Sequence, residues 1–496
     1  MRRWYIIVLF LLVLLIASSA FLFLRVPRLL DVSPAPGTRR VSAGEPLLLS
    51  FSRRMQTDSI AAHLQIEPAR EGTFAWEENT LSFTPDTPWP SGITVTVQLK
   101  TGAYAAGFPE LPTTSGKRWS FSISKPLLAY LWPANLPADI YALDPDSGET
   151  LRLTEGADVQ DFSVSADGTT LYYSAITEAG KADLYRLNWR EAAGIEHRAG
   201  TDHRAGTGQW VETGEGVEPK QATGTVQPPR QSAAIRILAC LDANCHAVQI
   251  SPTGEYLAYE RIPAQAPGQP AYPQVWLLPM NGGEPVLAGD PGHQTILPDW
   301  SSSGKLAFYD ITAQAFILLD PRSQETRLFL NQTGEQGDWT ADGQAYVAPE
   351  ITFVPTLNTT EMLNSRLLRF DWATSQITDL TRAADLEDSS PAFSPDGKRL
   401  AFARRSLDPA QWTIGRQLWL SEPDGKIPHP LLNADLETLD SFSHYDFAWK
   451  PDSSQLAYVR SNQDYPLDPP ELWLVEANGL NRVQLVVGGY APEWVR

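Results

Sequence analysis

Residues 391–432 read PAFSPDGKRLAFARRSLDPAQWTIGRQLWLSEPDGKIPHPLL, and they hold four short strands written in one piece. Ala392-Phe393 is a short apolar strand, and Ser394-Pro395-Asp396-Gly397 is a tight turn with Pro and Gly where turn dihedrals favour them. Residues 400–403, 417–420 and 429–432 supply the second, third and fourth strands.

The unit recurs. Aligned on the residue before the turn, the chain shows Val164-SADG, Ile250-SPTG, Trp300-SSSG, Trp339-TADG, Phe393-SPDG and Trp449-KPDS, and Trp494-Val495-Arg496 begins the pattern again. Each turn is followed by a short apolar strand such as Leu257-Ala258-Tyr259 or Leu456-Ala457-Tyr458. A third strand follows, as in 274–278, 417–420 and 471–474. Anchors lie 39 to 86 residues apart, so a four-stranded unit with insertions of variable length is repeated, which is the pattern of propeller blades. Residues 127–154 hold a second, third and fourth strand without a first, whereas 489–496 (GYAPEWVR) form a first strand with nothing after it. An unpaired edge is unfavourable, so the C-terminal strand is expected to complete the first sheet. The expectation is an all-β chain whose residues 125–496 form a seven-bladed β-propeller closed by the C-terminal strand.

The chain has 496 residues and is rich in Trp, Tyr and Pro, as befits a folded all-β protein with many loops. Its formal net charge of -19 disfavours nucleic acid or an anionic lipid surface as the main partner. Residues 4–24 (WYIIVLFLLVLLIASSAFLFL) carry no charge and would span about 31 Å as a helix, close to a bilayer core. Arg2 and Arg3 precede them, so residues 1–28 are expected to be a cytoplasmic stub and single-pass signal anchor in the cell membrane. The bulk of the chain then lies on the extracytoplasmic side. A cleaved signal peptide is the rival reading, with Ser18-Ser19-Ala20 as its cleavage site. Cys240 and Cys245 are the two cysteines, in CLDANC; a disulfide between them suits an oxidising compartment, and two free buried thiols are the alternative.

Residues 29–124 alternate short strands with Pro and Gly, which predicts an Ig-like β-sandwich. The landmarks are Pro36-Gly37, 47–51, Met55, Trp76, 81–85, 90–97, Gly107 and 119–121. Their order resembles the bacterial Ig-like domain of the S-layer protein type over the whole block, and the likeness implies a spacer or adhesion module. From residue 127 onward the F-S-P-D-G turn and the L-W-L strand resemble the WD40-like propeller repeats of the TolB type. Such repeats also build the propellers of the dipeptidyl peptidase family and of oligogalacturonate lyase. The likeness is strongest over 393–420, good at Ile250 and Trp449, and weaker at Trp300, where the turn has lost Pro and Asp. Residues 190–232 interrupt one unit between its third and fourth strands; they repeat HRAGT and contain almost no large apolar residue, which predicts a disordered insertion.

Alternation of strand direction puts the second-to-third-strand loops 261–273, 351–365, 404–416 and 460–470 on one face. They carry Tyr272, Phe353, Trp412 and Tyr465 among prolines, a composition suited to binding a protein, peptide or glycan. Asp161, Asp299, Asp338, Asp388, Asp446 and Glu493 lie at or just before the innermost strands, where converging carboxylates would attract Ca²⁺ or a basic peptide. Solvated or turn-capping carboxylates are the plainer reading. No G-x-S-x-G, H-E-x-x-H or phosphate-cradling glycine loop is present. His246, His293 and His444 fall near inner strands without metal-ligand spacing. The expected function is therefore that of a membrane-anchored binding or scaffold protein, with no catalytic residues and no cofactor. A polysaccharide-active, lyase-like propeller with acid or metal chemistry in its channel is the alternative.

Overall fold

The turn that punctuates the repeat explains why the repeat folds. In Ser394-Pro395-Asp396-Gly397 the Gly397 N–H donates to Ser394 O at 2.8 Å, with Gly397 at φ +69°. The Ser394 hydroxyl donates to Asp396 Oδ1 at 2.6 Å and accepts the Arg399 N–H at 3.0 Å, while Lys398 N–H donates to the same carboxylate at 3.1 Å. Ser394, Asp396 and Gly397 thus satisfy main-chain groups that the reversal would otherwise leave open. The Val164 and Trp339 turns repeat this network with Asp167 and Asp342. After Trp449 the glycine position is taken by Ser453, which adopts φ +59°. Its hydroxyl accepts Asp396 N–H at 3.0 Å from the neighbouring turn.

The computed structural model describes residues 9, 11–13, 25–38, 41, 44–87, 89–135, 137–189, 234–264, 271–354, 362–383, 385–408, 410–432 and 441–495. The chain divides into two compact units, Met1–Lys125 and Pro126–Val495. Residues 4–24 lie almost wholly outside the described residues, and no helix among the described residues is long and apolar enough to cross a membrane. The 190–232 insertion also lies outside them, between the strands Ala182–Asn188 and Ala234–Leu238.

In the first unit a four-stranded sheet is ordered Leu29–Ser33, Leu47–Phe51, Thr80–Pro85, Gly72–Glu77, and a three-stranded sheet is ordered Leu64–Glu67, Thr94–Leu99, Lys117–Ser122. Leu47–Phe51, Thr80–Pro85 and Thr94–Leu99 alternate buried with more open positions. The buried set meets in one core containing Leu47, Leu49, Phe83, Trp89, Val97 and Phe121. The expected sandwich is modified by a helix, Thr57–His63, which buries Ile60 and is held when Trp76 Nε1 donates to Thr57 Oγ1 at 2.8 Å. Seven residues are too few to stand alone as a helix, so its apolar anchor and this indole bond hold it in place.

The second unit is built of antiparallel four-stranded groups, each opening with the strand that carries one anchor residue. The Trp339 and Phe393 groups join into one eight-stranded sheet through a single parallel bridge between Ser365 and Glu387. Second strands are buried on both faces, as in Leu306–Asp310 and the Leu400–Ala403 stretch, because each group is packed between two others. The C-terminal strand Tyr490–Val495 pairs with Leu127–Trp132, matching Trp494 to Leu128 and Val495 to Leu127. The expected partner of the last strand is therefore the observed one.

One expected loop differs. Residues 351–365 were expected to form a loop, whereas Ala345–Val354 and Met362–Asp371 pair along ten residues each. Ile351, Thr352, Phe353 and Val354 are all β-branched or aromatic, which favours continued pairing beyond the body of the group. Cys240 and Cys245 are bonded, with Cα atoms 6.2 Å apart, at the passage from Ala234–Leu238 to Ala243–Ile250.

Candidate functional site

All seven anchors obey one rule: each donates a hydrogen bond to the residue just before the anchor of the preceding group. Tryptophan anchors use the indole. Trp300 Nε1 donates to Gln249 O at 2.9 Å, Trp339 to Asp299 O at 3.2 Å, Trp449 to Ala392 O at 3.0 Å and Trp494 to Ala448 O at 3.0 Å. The other anchors use the main-chain N–H, and the preceding group then offers a side chain. Val164 N donates to Glu493 Oε2 at 2.7 Å, Ile250 N to Ser163 Oγ at 3.3 Å and Phe393 N to Asp338 Oδ2 at 2.6 Å. Followed from group to group, these bonds return to their starting point.

A second tie lies three residues earlier. The anchor strands shift register just before the anchor, and Ala247, Leu297, Ser390, Asp446 and Ala491, each three residues ahead of it, take φ between 49° and 58°. Positive φ at a non-glycine residue costs about 1 kcal/mol or more, and the bulge frees an N–H from the ladder. At three of these five residues that N–H goes to a carboxylate of the preceding group: Ala247 N to Asp161 Oδ2 at 2.7 Å, Leu297 N to Glu260 Oε1 at 2.8 Å, and Ala491 N to Asp446. Hydrogen bonds to charged acceptors contribute roughly 1.5–3 kcal/mol, enough to offset the strain.

The six acidic residues picked from sequence are thus divided by their partners. Asp161 also accepts Val248 N at 2.9 Å and Ser174 Oγ at 2.7 Å, and Asp338, Asp446 and Glu493 each accept a main-chain N–H from the following group. Asp388 is fully buried and held by Arg404 Nε at 2.7 Å, Arg404 Nη2 at 2.8 Å and Thr381 Oγ1 at 2.6 Å. Asp299 Oδ2 is buried without a hydrogen-bond partner. Asp161, Asp299, Asp338 and Glu493 are half-buried, whereas Asp446 is exposed.

Burial dominates their acidity. It raises Glu493 to about 8 and Asp338 to about 7, against the bond each accepts. Asp299 stands well above the usual carboxylate range, first through burial and then through the neighbouring charge of Asp338. Burial also raises Asp161 and Asp446.

Among the described residues no group of three or more His, Cys, Asp or Glu side chains is arranged to hold a metal ion. Of the three histidines, His246 lies close enough to Asp161 for its charge to act on that carboxyl, and among the described residues neither His293 nor His444 is hydrogen-bonded to an anchor-strand carboxylate. His293 Nδ1 lies 2.6 Å from Asp310 Oδ2, which raises its pKa, and His246 Nε2 lies 3.8 Å from Glu260 Oε2. His444 is buried with neither ring nitrogen hydrogen-bonded.

On the expected loop face, Trp412 is 51% exposed, Tyr465 65% and Tyr272 46%. Ile414 and Leu467 in the same loops are also exposed. Phe353 lies in the Ala345–Val354 strand, and its side chain is outside the described residues. At the ends of the Trp412 loop, Arg405 and Arg416 share Glu387, with Arg405 Nε 2.6 Å from its Oε2, and Arg405 Nη1 donates to Ile414 O at 3.2 Å.

Glu260, Arg404 and His444 are the polar residues that the sequence reading passed over or left without a role. Glu260 and Arg404 are each the fifth residue of a second strand, in Tyr256–Pro263 and Leu400–Ser406, after the apolar runs Leu257-Ala258-Tyr259 and Leu400-Ala401-Phe402-Ala403. A charged residue so close behind a fully buried run is the signal that could have marked them.

Residues 25–123 match the family model described as a bacterial Ig-like domain. No curated protein matches the chain in sequence. Among solved structures, a putative TolB from Agrobacterium tumefaciens is 15% identical, with a TM-score of 0.38, covering 74% of this chain and 92% of its own. TolB from Acinetobacter baumannii is 12% identical, with a TM-score of 0.40 and coverage of 89% and 86%. An oligogalacturonate lyase from Vibrio parahaemolyticus is 19% identical, with a TM-score of 0.36 and coverage of 50% and 67%.

Proposed function

We propose that this chain is an extracytoplasmic binding or scaffold protein, anchored in the cell membrane by residues 4–24. The Ig-like unit serves as a spacer. The second unit acts as a seven-bladed β-propeller that binds a protein, peptide or glycan through its second-to-third-strand loops and is not itself a catalyst. The ring of anchor bonds from Val164 to Trp494 supports the blade count, since each anchor opens one four-stranded group.

The observation that carries the reading is the exposure of Trp412, Tyr465 and Tyr272 in those loops. A large aromatic left in water at a rigidly based loop offers contact area at little entropic cost. The test compares the full-length chain in neutral detergent with the Tyr272→Ala/Trp412→Ala/Tyr465→Ala variant. Immobilised on beads, the intact chain should retain a discrete envelope protein or glycan that the variant releases. Equal retention by both would sink the loop-face reading.

The second reading, acid chemistry on a polysaccharide, draws on one observation. Asp299 and Asp338 interact, with Asp338 at about 7, and a carboxyl held in its acid form near neutral pH is what general acid catalysis requires. Cleavage of an acidic polysaccharide by the intact chain, abolished in Asp338→Asn, would favour it over binding alone.

A further inference from the structure

The strand pairs around His444 hold more cationic and donor groups than they have acceptors for. His444 is 1% exposed in the strand Phe442–Trp449, and both its Nδ1 and its Nε2 lack a hydrogen-bond partner. Its ring meets the edge of Tyr458 with centroids 5.3 Å apart. Arg482 Nε donates to Tyr458 Oη at 2.7 Å, which fixes the guanidinium against that hydroxyl, while Arg482 Nη2 is buried without a partner. The Tyr458 hydroxyl is left with a proton to donate.

Charge is unbalanced in the same place. Arg460 is paired with Glu471, whose Oε2 is 2.6 Å from Arg460 Nε and accepts Trp473 Nε1 at 2.7 Å. Arg460 and Arg482 stack on Trp473, each 4.3 Å from its ring centre. Arg482 forms no ion pair among the described residues, although residues 126–496 hold 49 acidic and 26 basic side chains. Arg482 as a whole is half-buried, yet a buried N–H of a charged group left without an acceptor is costly, and nothing in a chain so rich in carboxylates obliges it to remain so. The facing group contributes Arg416, whose carbonyl accepts the His444 main-chain N–H at 2.9 Å and whose side chain is committed to Glu387.

We propose that His444, Tyr458 and Arg482 form a binding site for a small oxyanion, a carboxylate or a phosphate group, between the Phe393 and Trp449 groups. The anion accepts from Arg482 Nη2–H, from the Tyr458 hydroxyl and from a ring N–H of His444. Burial, followed by the charges of Arg482 and Arg460, pushes His444 down to about 3, so the empty site holds a neutral ring. An anion beside the ring opposes both effects and favours proton uptake at His444. The three donors lie outside the exposed aromatic loops, although Arg416 and Arg460 at the ends of two of those loops border them, and the proposal stands whether or not the loops bind.

The test uses the full-length chain, labelled with ¹⁵N-histidine, in a neutral detergent. Inorganic phosphate and acetate are added in separate titrations against chloride at matched ionic strength. One imidazole, identified by its loss in His444→Gln, should shift saturably with phosphate, with acetate or with both; which of them does so distinguishes a phosphate from a carboxylate ligand. Arg482→Gln should abolish the shift, and Arg482→Lys, which keeps the charge but not the guanidinium geometry, should weaken binding about tenfold. If Arg482→Gln does not fold, the lysine variant decides. Absence of a saturable shift with either anion, or unchanged affinity in Arg482→Lys, would overturn the proposal.

Discussion

Glu493 accepts the main-chain N–H of Val164 at 2.7 Å, so a side chain on the last strand holds the start of the second four-stranded group. Its carboxyl stands at about 8 because burial outweighs that bond. A folded pKa above the unfolded value means that the native state binds the proton more tightly. The resulting stability is present in full below about 4.5, declines above it and is lost as pH rises through about 8. Thermal midpoints between pH 5 and 9 should therefore fall with rising pH, and Glu493→Gln, which keeps an acceptor and cannot ionise, should flatten that part of the curve. A profile of the same slope in the variant would refute the assignment.

Trp494 supplies the neighbouring tie, to Ala448 O. Trp494→Phe keeps most of the packing and strands a carbonyl, at a cost of about 1–2 kcal/mol. Trp494→Ala also opens a cavity, at about 3–5 kcal/mol. Urea midpoints of the two variants should separate in that order.

Asp388 and Arg404 form a buried, doubly hydrogen-bonded pair. Arg404→Met leaves the carboxylate uncompensated and should destabilise by about 3–5 kcal/mol. Adding Asp388→Leu should restore much of the loss. Denaturant unfolding of both single variants and the double variant measures the coupling, and simple additivity would show that the pair is not a unit.

The Cys240–Cys245 bond closes a short loop, for which chain-entropy arguments give about 2 kcal/mol. Reductant and the Cys240→Ala/Cys245→Ala variant should lower the midpoint equally. A midpoint that neither treatment lowers would show that the bond does not hold the native state.

The repeat was legible because its turns are chemically explicit: Ser394, Asp396 and Gly397 each perform a local task that residue type alone announces. The closing strand was legible for a related reason, since 127–154 lacks a strand that 489–496 can supply. The roles of the acidic residues were not. Asp161 and Asp446 could be put on anchor strands, yet their partners are N–H groups released by bulges at Ala247 and Ala491, and alanine carries no mark of a positive φ. The Thr57–His63 helix depends on Ile60 and on Trp76, remote in sequence, and no strong capping signal precedes it. The His444 cluster brings together three strands and a turn whose separate sequences contain nothing unusual.

Pairing of Tyr490–Val495 with Leu127–Trp132 also has a consequence in time. While the chain is being synthesised, the strand that starts at Leu127 waits with one row of N–H and C=O groups bare until hundreds of later residues have emerged. Throughout that interval the same edge can accept the tail of another copy, so crowded nascent chains are exposed to exchange of their final strands, with each tail completing its neighbour's ring.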